Sequence, residues 1–248
     1  MMEASVISAK LDLLVRLIDT TTGAQVTERN IVFKRDGTPV RPEPKDPGVY
    51  IFINTGREDF LMRIEVFGYE IYEERVRYEE LDDRLPECDV FLMPSESMSR
   101  GEKVLSFSGT LPFLKKIEAV CLDRPVCYAK EINRKTNELT VYTAGGGRVS
   151  LNDRYYGLLN ADKTSYEKIE VEAGTSLQSV RLKEPVREEQ ISNLAVARVI
   201  FGRVSGNGDY LIRVRNSGTG IKHLIRYEAG EEVRFRVIDF ESQEEKLI

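Results

Sequence analysis

The chain has 248 residues, 41% hydrophobic and 31% charged, with a formal net charge of −5. That balance excludes a disordered chain and a helical membrane protein, and it leaves room for one large domain or two to three small ones. The charge is unevenly spread: residues 1–97 hold 12 Lys+Arg against 20 Asp+Glu, and the remainder 24 against 21. This step marks a domain boundary near "MPSESMSRGEK", read as a linker over 96–103.

From the N-terminus, "MMEASVISAKLDLLVRLID" has no basic leader, and Lys10, Asp12 and Arg16 break its apolar run. Neither a signal peptide nor a membrane anchor is expected. Period-two apolar runs follow at 11–19, 30–36, 48–54, 60–68, 70–78 and 88–94. Successive side chains of a strand face opposite ways, so runs at this spacing predict an antiparallel sandwich over 1–95. In "FLMRIEVFGYE", Met62, Ile64 and Val66 face the core, Arg63 and Glu65 face solvent, Gly68 turns the chain, and Tyr69 packs across the sandwich edge. Thr22-Gly23 and Asp36-Gly37 supply turn chemistry, and four prolines keep "TPVRPEPKDPG" out of a central strand. That stretch, with Arg41 and Lys45, is expected at the surface as a candidate partner contact.

The order "LIDTTTGAQV", "DPGVYIF", "FLMRIEVFGYE", "CDVFLMP" resembles the transthyretin-like, or carboxypeptidase-regulatory-like, β-sandwich family over residues 10–95. The resemblance implies that fold. Such modules serve as accessory, adhesive and scaffold units, so it implies no single activity. Within this region Glu73, Glu74, Glu79, Glu80, Asp82, Asp83, Glu87 and Asp89 concentrate negative charge. Paired carboxylates bind cations or do acid–base work, but the calcium-loop spacing and its glycine are missing. A solvated face, able to meet a basic partner, is expected instead.

Beyond the linker, 104–187 reads as a β-rich middle domain and 188–248 as a C-terminal β-rich module, or the two as one domain. "KVLSFSGTL" predicts a strand; Leu111, Leu114 and Ile117 recur at helical spacing and predict one or two helical turns. Strands are expected in "NELTVYT", "GRVSLND", "EKIEVEAG" and "SVRLKEPV", with Gly145–Gly147 and Gly174 at turns. Residues 187–195 read as a short helix or a connector, and four more strands follow in "VARVIFGRVSG", "DYLIRVRNSG", "KHLIRYEAG" and "EEVRFRVIDFE". The block 137–186 is similar to small β-modules of tail, neck and baseplate proteins in phages and phage-tail-like particles, with Val186 where their "xxLxxPL" ending has Leu. That likeness implies a structural place in a particle.

Chemistry is sparse. Cys88, Cys121 and Cys127 form neither a disulfide framework nor a metal-ligand spacing, which fits a reducing cytoplasm. His223 is the only histidine and has no nucleophile elbow to serve, so a structural or surface role is expected. "SGNGDY" and "SGTGIKHL" lack a strand-to-helix context and read as hairpin turns. Residues 190–248 hold nine basic against eight acidic residues, which argues against nucleic acid. With no tryptophan, the best stacking patch is Tyr155-Tyr156.

The reading is therefore an all-β protein, a transthyretin-like sandwich followed by one or two small β-domains, with no catalytic, metal or cofactor site. It is expected to act as a structural or adaptor subunit of a larger assembly, a phage-tail-like or contractile particle in particular, made in the cytoplasm. Its expected partners are protein subunits, further copies of itself included, with no nucleic acid and no membrane insertion. Two alternatives remain: a carbohydrate or cell-surface binding module using the sandwich loops or the Tyr155-Tyr156 patch, and an enzyme with carboxylate-centred chemistry in the acidic segment, such as a glycosidase, which needs two convergent carboxyls in a cleft.

Overall fold

The computed structural model describes residues 10–28, 30–95, 103–147, 149–176, 178–216, 220–241 and 244–247. Residues 96–102 of the expected linker, and the segment before Lys10, lie outside this set. Among the described residues the structure is β throughout, interrupted by a 3-10 turn at Tyr78–Glu80. The chain divides into two units: Met1–Asp19 with Gln25–Met98, and Thr20–Ala24 with Ser99–Ile248.

The first unit contains β1 (Leu11–Asp19), β2 (Ile31–Arg35), β3 (Thr38–Val40), β4 (Glu43–Asp46), β5 (Val49–Ile53), β6 (Phe60–Val66), β7 (Tyr72–Val76) and β8 (Glu87–Leu92). They form two four-stranded sheets, β4-β5-β1-β8 and β3-β2-β6-β7. Alternate residues of both sheets meet in one core, among them Leu13, Val15, Leu17, Phe52, Phe60, Met62, Ile64, Val90 and Leu92. Burying each such side chain is worth about 1.5–3 kcal/mol, which fixes the register: a one-residue slip would expose the whole set. Met62, Ile64 and Val66 are buried while Arg63 and Glu65 are half-exposed, as the alternation requires. Gly68 turns the chain at φ 90°, and Tyr69 donates its hydroxyl to Asp19 Oδ2 at 2.9 Å.

Two features differ from expectation. The β1–β8 pair is parallel, because the chain crosses from the second sheet back to the first before forming β8 and so arrives running with β1. The proline-rich stretch does form strands, β3 with Pro39 and β4 with Pro44. Each lies at a sheet edge, where a missing N–H costs no ladder bond.

The second unit contains β9 (Lys103–Thr110), β10 (Leu114–Cys121), β11 (Cys127–Asn133), β12 (Glu138–Tyr142), β13 (Tyr155–Leu159), β14 (Tyr166–Ser176), β15 (Ser179–Leu182), β16 (Ala195–Phe201), β17 (Arg203–Val204), β18 (Asp209–Asn216), β19 (Lys222–Ala229), β20 (Glu232–Asp239) and β21 (Glu244–Leu247). Six of them run β11-β12-β15-β14-β13-β16, and β16 pairs back to β11 through Val196–Cys127 and Ala195–Tyr128. The ring is a closed barrel, which removes its edges. Ala129, Leu139, Val141, Leu158, Val180 and Val196 contribute to its core, joined by Leu151, Val186, Ile191 and Leu194 from the connections.

The far half of β16, Val199 to Phe201, pairs instead with β10. The sheet continues β10-β19-β20-β21, faced by a three-stranded sheet β17-β18-β9. Ile117, Ala119, Ile212, Val214, Ile225, Tyr227, Ile238 and Phe240 form the core of this second sandwich. Residues 104–187 and 188–248 thus share both sub-structures: β9 and β10 belong with strands after 188, and β16 closes the barrel. The turn Thr20–Ala24 is counted in this unit. The Thr20 carbonyl accepts the Phe201 N–H at 2.9 Å, and at Gly23 (φ 68°) a Cβ would stand 2.2 Å from the Val199 carbonyl oxygen.

Several local expectations are corrected. Residues 111–117 form a turn and the start of β10, not a helix: a register shift between Leu114 and Lys116 inserts one residue, so Leu114 and Ile117 face the same core three positions apart. Residues 149–153 are not a strand, though Leu151 is buried against the barrel core. Gly174 lies inside β14, where the register shifts between Gly174 and Ser176. Of the two readings for residues 187–195, helix or connector, the structure has the connector: residues 187–194 are an irregular link whose Ile191 and Leu194 enter the barrel core.

Candidate functional site

The second unit carries a cleft of about 1140 Å³, lined by β13 and β14 of the barrel, by residues 184–190, and by Arg226, Val233 and Phe235. Close approach of barrel and sandwich is permitted by Gly157, where a Cβ would come within 2.7 Å of Val120 Cγ1 and 2.9 Å of the Tyr166 ring. Tyr166 lies in the cleft wall, 5% exposed, with its ring edge-on to Phe235 at 5.6 Å. Its hydroxyl has no hydrogen-bond partner among the described residues. Burial pushes the phenol well above its ordinary pKa, the Glu118 carboxylate adds to the shift, and Arg226 opposes it.

Glu118, 3% exposed, accepts Lys168 Nζ at 2.6 Å and Arg226 Nη1 at 3.1 Å. At the rim the backbone N–H groups of Arg187 and Glu188 donate to the Glu167 carboxylate, at 3.0 Å and 3.3 Å. The lining carries Glu167, Glu184, Glu188 and Glu189 against Lys168, Arg187 and Arg226. Its charge is therefore mixed, which suits orientation of a polar surface better than concentration of one ionic ligand.

The candidates from sequence are scattered. Tyr155 and Tyr156 are consecutive in β13 and so point to opposite faces. Tyr156 is 1% exposed, with its hydroxyl bonded to Asp153; a surface ligand cannot stack on it, and burial raises its pKa. Tyr155 is half-buried, edge-on to Phe201 at 5.6 Å and flanked by the Arg154 and Lys168 cations at 5.7 and 5.4 Å from its ring. The recess beside it measures about 110 Å³. Arg41 and Lys45 are exposed in the first unit, and Arg41 borders a dimple of about 90 Å³. Both hollows are well below the several hundred Å³ of ordinary small-molecule sites.

In the acidic segment Glu73, Glu74, Glu79, Glu80, Asp82 and Asp83 are exposed, whereas Glu87 and Asp89 on β8 are half-buried. Glu73 pairs with Arg63 at 3.3 Å, Glu80 with Arg77 at 3.0 Å, and Glu87 with Arg16 at 2.6 Å, while Glu74 accepts the Tyr72 hydroxyl and Asp82 caps the N–H groups of Arg84 and Leu85. Among the described residues no three His, Cys, Asp or Glu side chains gather as a metal would need, and no helix is long and apolar enough to cross a membrane. Burial pushes the Cys88 and Cys127 thiols up to about 12 and raises Cys121 as well, the opposite of nucleophile activation. Buried His223 is pushed down to about 4.

Reading the sequence missed Phe113. The turn Leu111-Pro112-Phe113-Leu114 closes through the Leu114 N–H to the Leu111 carbonyl at 3.2 Å. Proline second and a positive φ third follow the type II pattern, but the third residue is phenylalanine at φ 62° and 84% exposed. Pro112 was the available signal, and it competed with the helical spacing of Leu111, Leu114 and Ile117. A family-model scan finds no match to the chain, and no curated protein matches its sequence.

Proposed function

We propose that the protein is a structural or adaptor subunit that docks a partner protein through aromatic residues held at turns. The observation that carries this reading is Phe113. A bulky residue in the left-handed region costs about 1–2 kcal/mol, and an aromatic ring 84% in water returns none of it by packing within the chain. Glycine at this position would relieve the strain, so the ring is maintained for something outside the described residues. Aromatic anchors of this kind dominate protein–protein binding energy. In the first unit Phe67 and Ile71 are likewise exposed on either side of the Gly68 turn, giving that unit an apolar corner of its own. A phage-tail-like or contractile particle is the assembly to which the middle-block likeness points.

The test compares the tagged wild-type protein with Phe113→Gly, each purified natively from the source organism and analysed by electron microscopy and mass spectrometry. The variant is expected to be folded and about 1 kcal/mol more stable yet to lose a partner that travels with the wild type at fixed stoichiometry. If the wild type travels alone, or the variant keeps every companion, the reading fails.

A further inference from the structure

Most edge strands among the described residues are guarded against pairing with other chains. β3 carries Pro39; β4 carries Pro44, Lys45 and a register shift; β7 carries Glu73, Glu74 and Arg75; β8 carries Asp89; β17 has two residues; and β21 carries Glu244, Glu245 and Lys246. β9 is the exception. From Val104 to Thr110 it has no charge, no proline and no shift in its eight-residue register with β18.

The Leu111 N–H donates to the Gly208 carbonyl at 3.0 Å, which sets the phase of the ladder. Odd-numbered residues of β9 bond to β18, and the N–H and C=O groups of Val104, Ser106, Ser108 and Thr110 point away from it. Nothing among the described residues pairs with that side. On the inner face Leu105 and Phe107 are only half-buried although they pack against the second sandwich core, and the space over Gly109 is taken by the Tyr210 side chain, its hydroxyl 2.7 Å from where a Cβ would stand.

We propose that β9 pairs antiparallel with β9 of a second copy across a two-fold axis at Phe107, joining the two β17-β18-β9 sheets into one. The edge is self-complementary in that register. Ser106 stands opposite Ser108, which places two hydroxyls together, and Val104 stands opposite Thr110, a pair of β-branched side chains, with no charge facing a like charge. On the core side Phe107 meets Phe107, and Leu105 lies opposite Gly109, where it comes against the Tyr210 side chain that covers that position. Two half-exposed cores complete each other, in the isologous form common to homodimers. The pairing needs no other protein, so its failure would leave the adaptor reading standing, and the Phe113 experiment does not bear on it.

The test is sedentation-equilibrium mass of the purified full chain over a dilution series, by analytical ultracentrifugation. The wild type is expected at twice the 28.3 kDa chain mass. Ser106→Pro removes an N–H that points away from β18, so it should give a monomer with unchanged far-UV circular dichroism and melting temperature. Ser108→Lys sets charge into the joint without touching the backbone and should do the same, which decides the matter if the proline variant does not fold. Register is read by oxidation: a Ser106→Cys chain mixed with a Ser108→Cys chain should form a cross-linked dimer that neither gives alone, since paired Cα atoms about 5.5 Å apart suit a disulfide. A wild type that stays monomeric throughout, a dimer that survives both Ser106→Pro and Ser108→Lys, or a mixture that does not cross-link overturns the proposal.

Discussion

His223 is a buried imidazole, edge-on to Phe240 at 5.0 Å, with no partner for its Nδ1 among the described residues. Desolvation is the main cause of its lowered pKa, and unfolding returns the ring to its ordinary value near 6.5. Between pH 6.5 and 4 the unfolded chain therefore binds a proton that the folded chain refuses. The neutral ring's contribution is complete above 6.5 and is lost as pH falls toward 4, by about 3 kcal/mol at most. Urea unfolding at pH 7 and pH 5 should show the wild type losing stability, and His223→Leu should flatten that slope. A structural role for this histidine was legible, since in "KHLIRY" it shares strand parity with Ile225 and Tyr227. The split of Tyr155 from Tyr156 was not, because "YYGLL" has no alternation: β13 is mostly buried on both faces, and such strands read as plain apolar runs.

Turns give the sharper contrast at the scale of elements. Gly208 and Gly230 both lie in the second unit with positive φ, 81° and 62°. A Cβ at Gly208 would stand 2.2 Å from the Leu111 carbonyl oxygen, whereas nothing lies within 4 Å of one at Gly230. Gly230→Ala should cost about 1 kcal/mol, the conformational penalty alone. Gly208→Ala adds a backbone collision that must push the β17–β18 turn away from the turn joining β9 to β10, and about 3 kcal/mol is expected. Denaturant midpoints of the two variants against wild type measure the difference, and equal losses would mean that the turn relaxes freely. Asn207-Gly208 was readable as a hairpin turn from its residues. What it presses against was not, because the Leu111–Phe113 turn comes from a segment about 100 residues away in sequence. The bulge in β10 hid that segment further, by giving a strand the three-residue spacing of a helix.

The charge step near residue 97 lies beside the Met98–Ser99 division between the two units, but the chain order after it did not reveal barrel and sandwich, since β9 pairs with β18 and β16 serves both. Glu118 is where those two parts of the second unit are tied electrostatically. It projects from β10, opposite Ile117 and Ala119 of the sandwich core, to meet Lys168 of β14 and Arg226 of β19. Removing the carboxylate leaves a lysine with 27% of its side chain exposed and an arginine with 19%. Arg226 keeps Glu228 at 3.3 Å, so most of the penalty falls on Lys168. Glu118→Ala should therefore cost about 3 kcal/mol, the low end for breaking a buried pair. Exchanging both partners for apolar groups is often neutral in such sites, so Glu118→Met with Lys168→Met should recover most of the loss. If the pair fastens barrel to sandwich, amide exchange in Glu118→Ala will quicken in both β14 and β19, and in the double variant it will slow again in both. Acceleration confined to β10 and β19 would instead place the whole contribution of Glu118 inside the sandwich sheet.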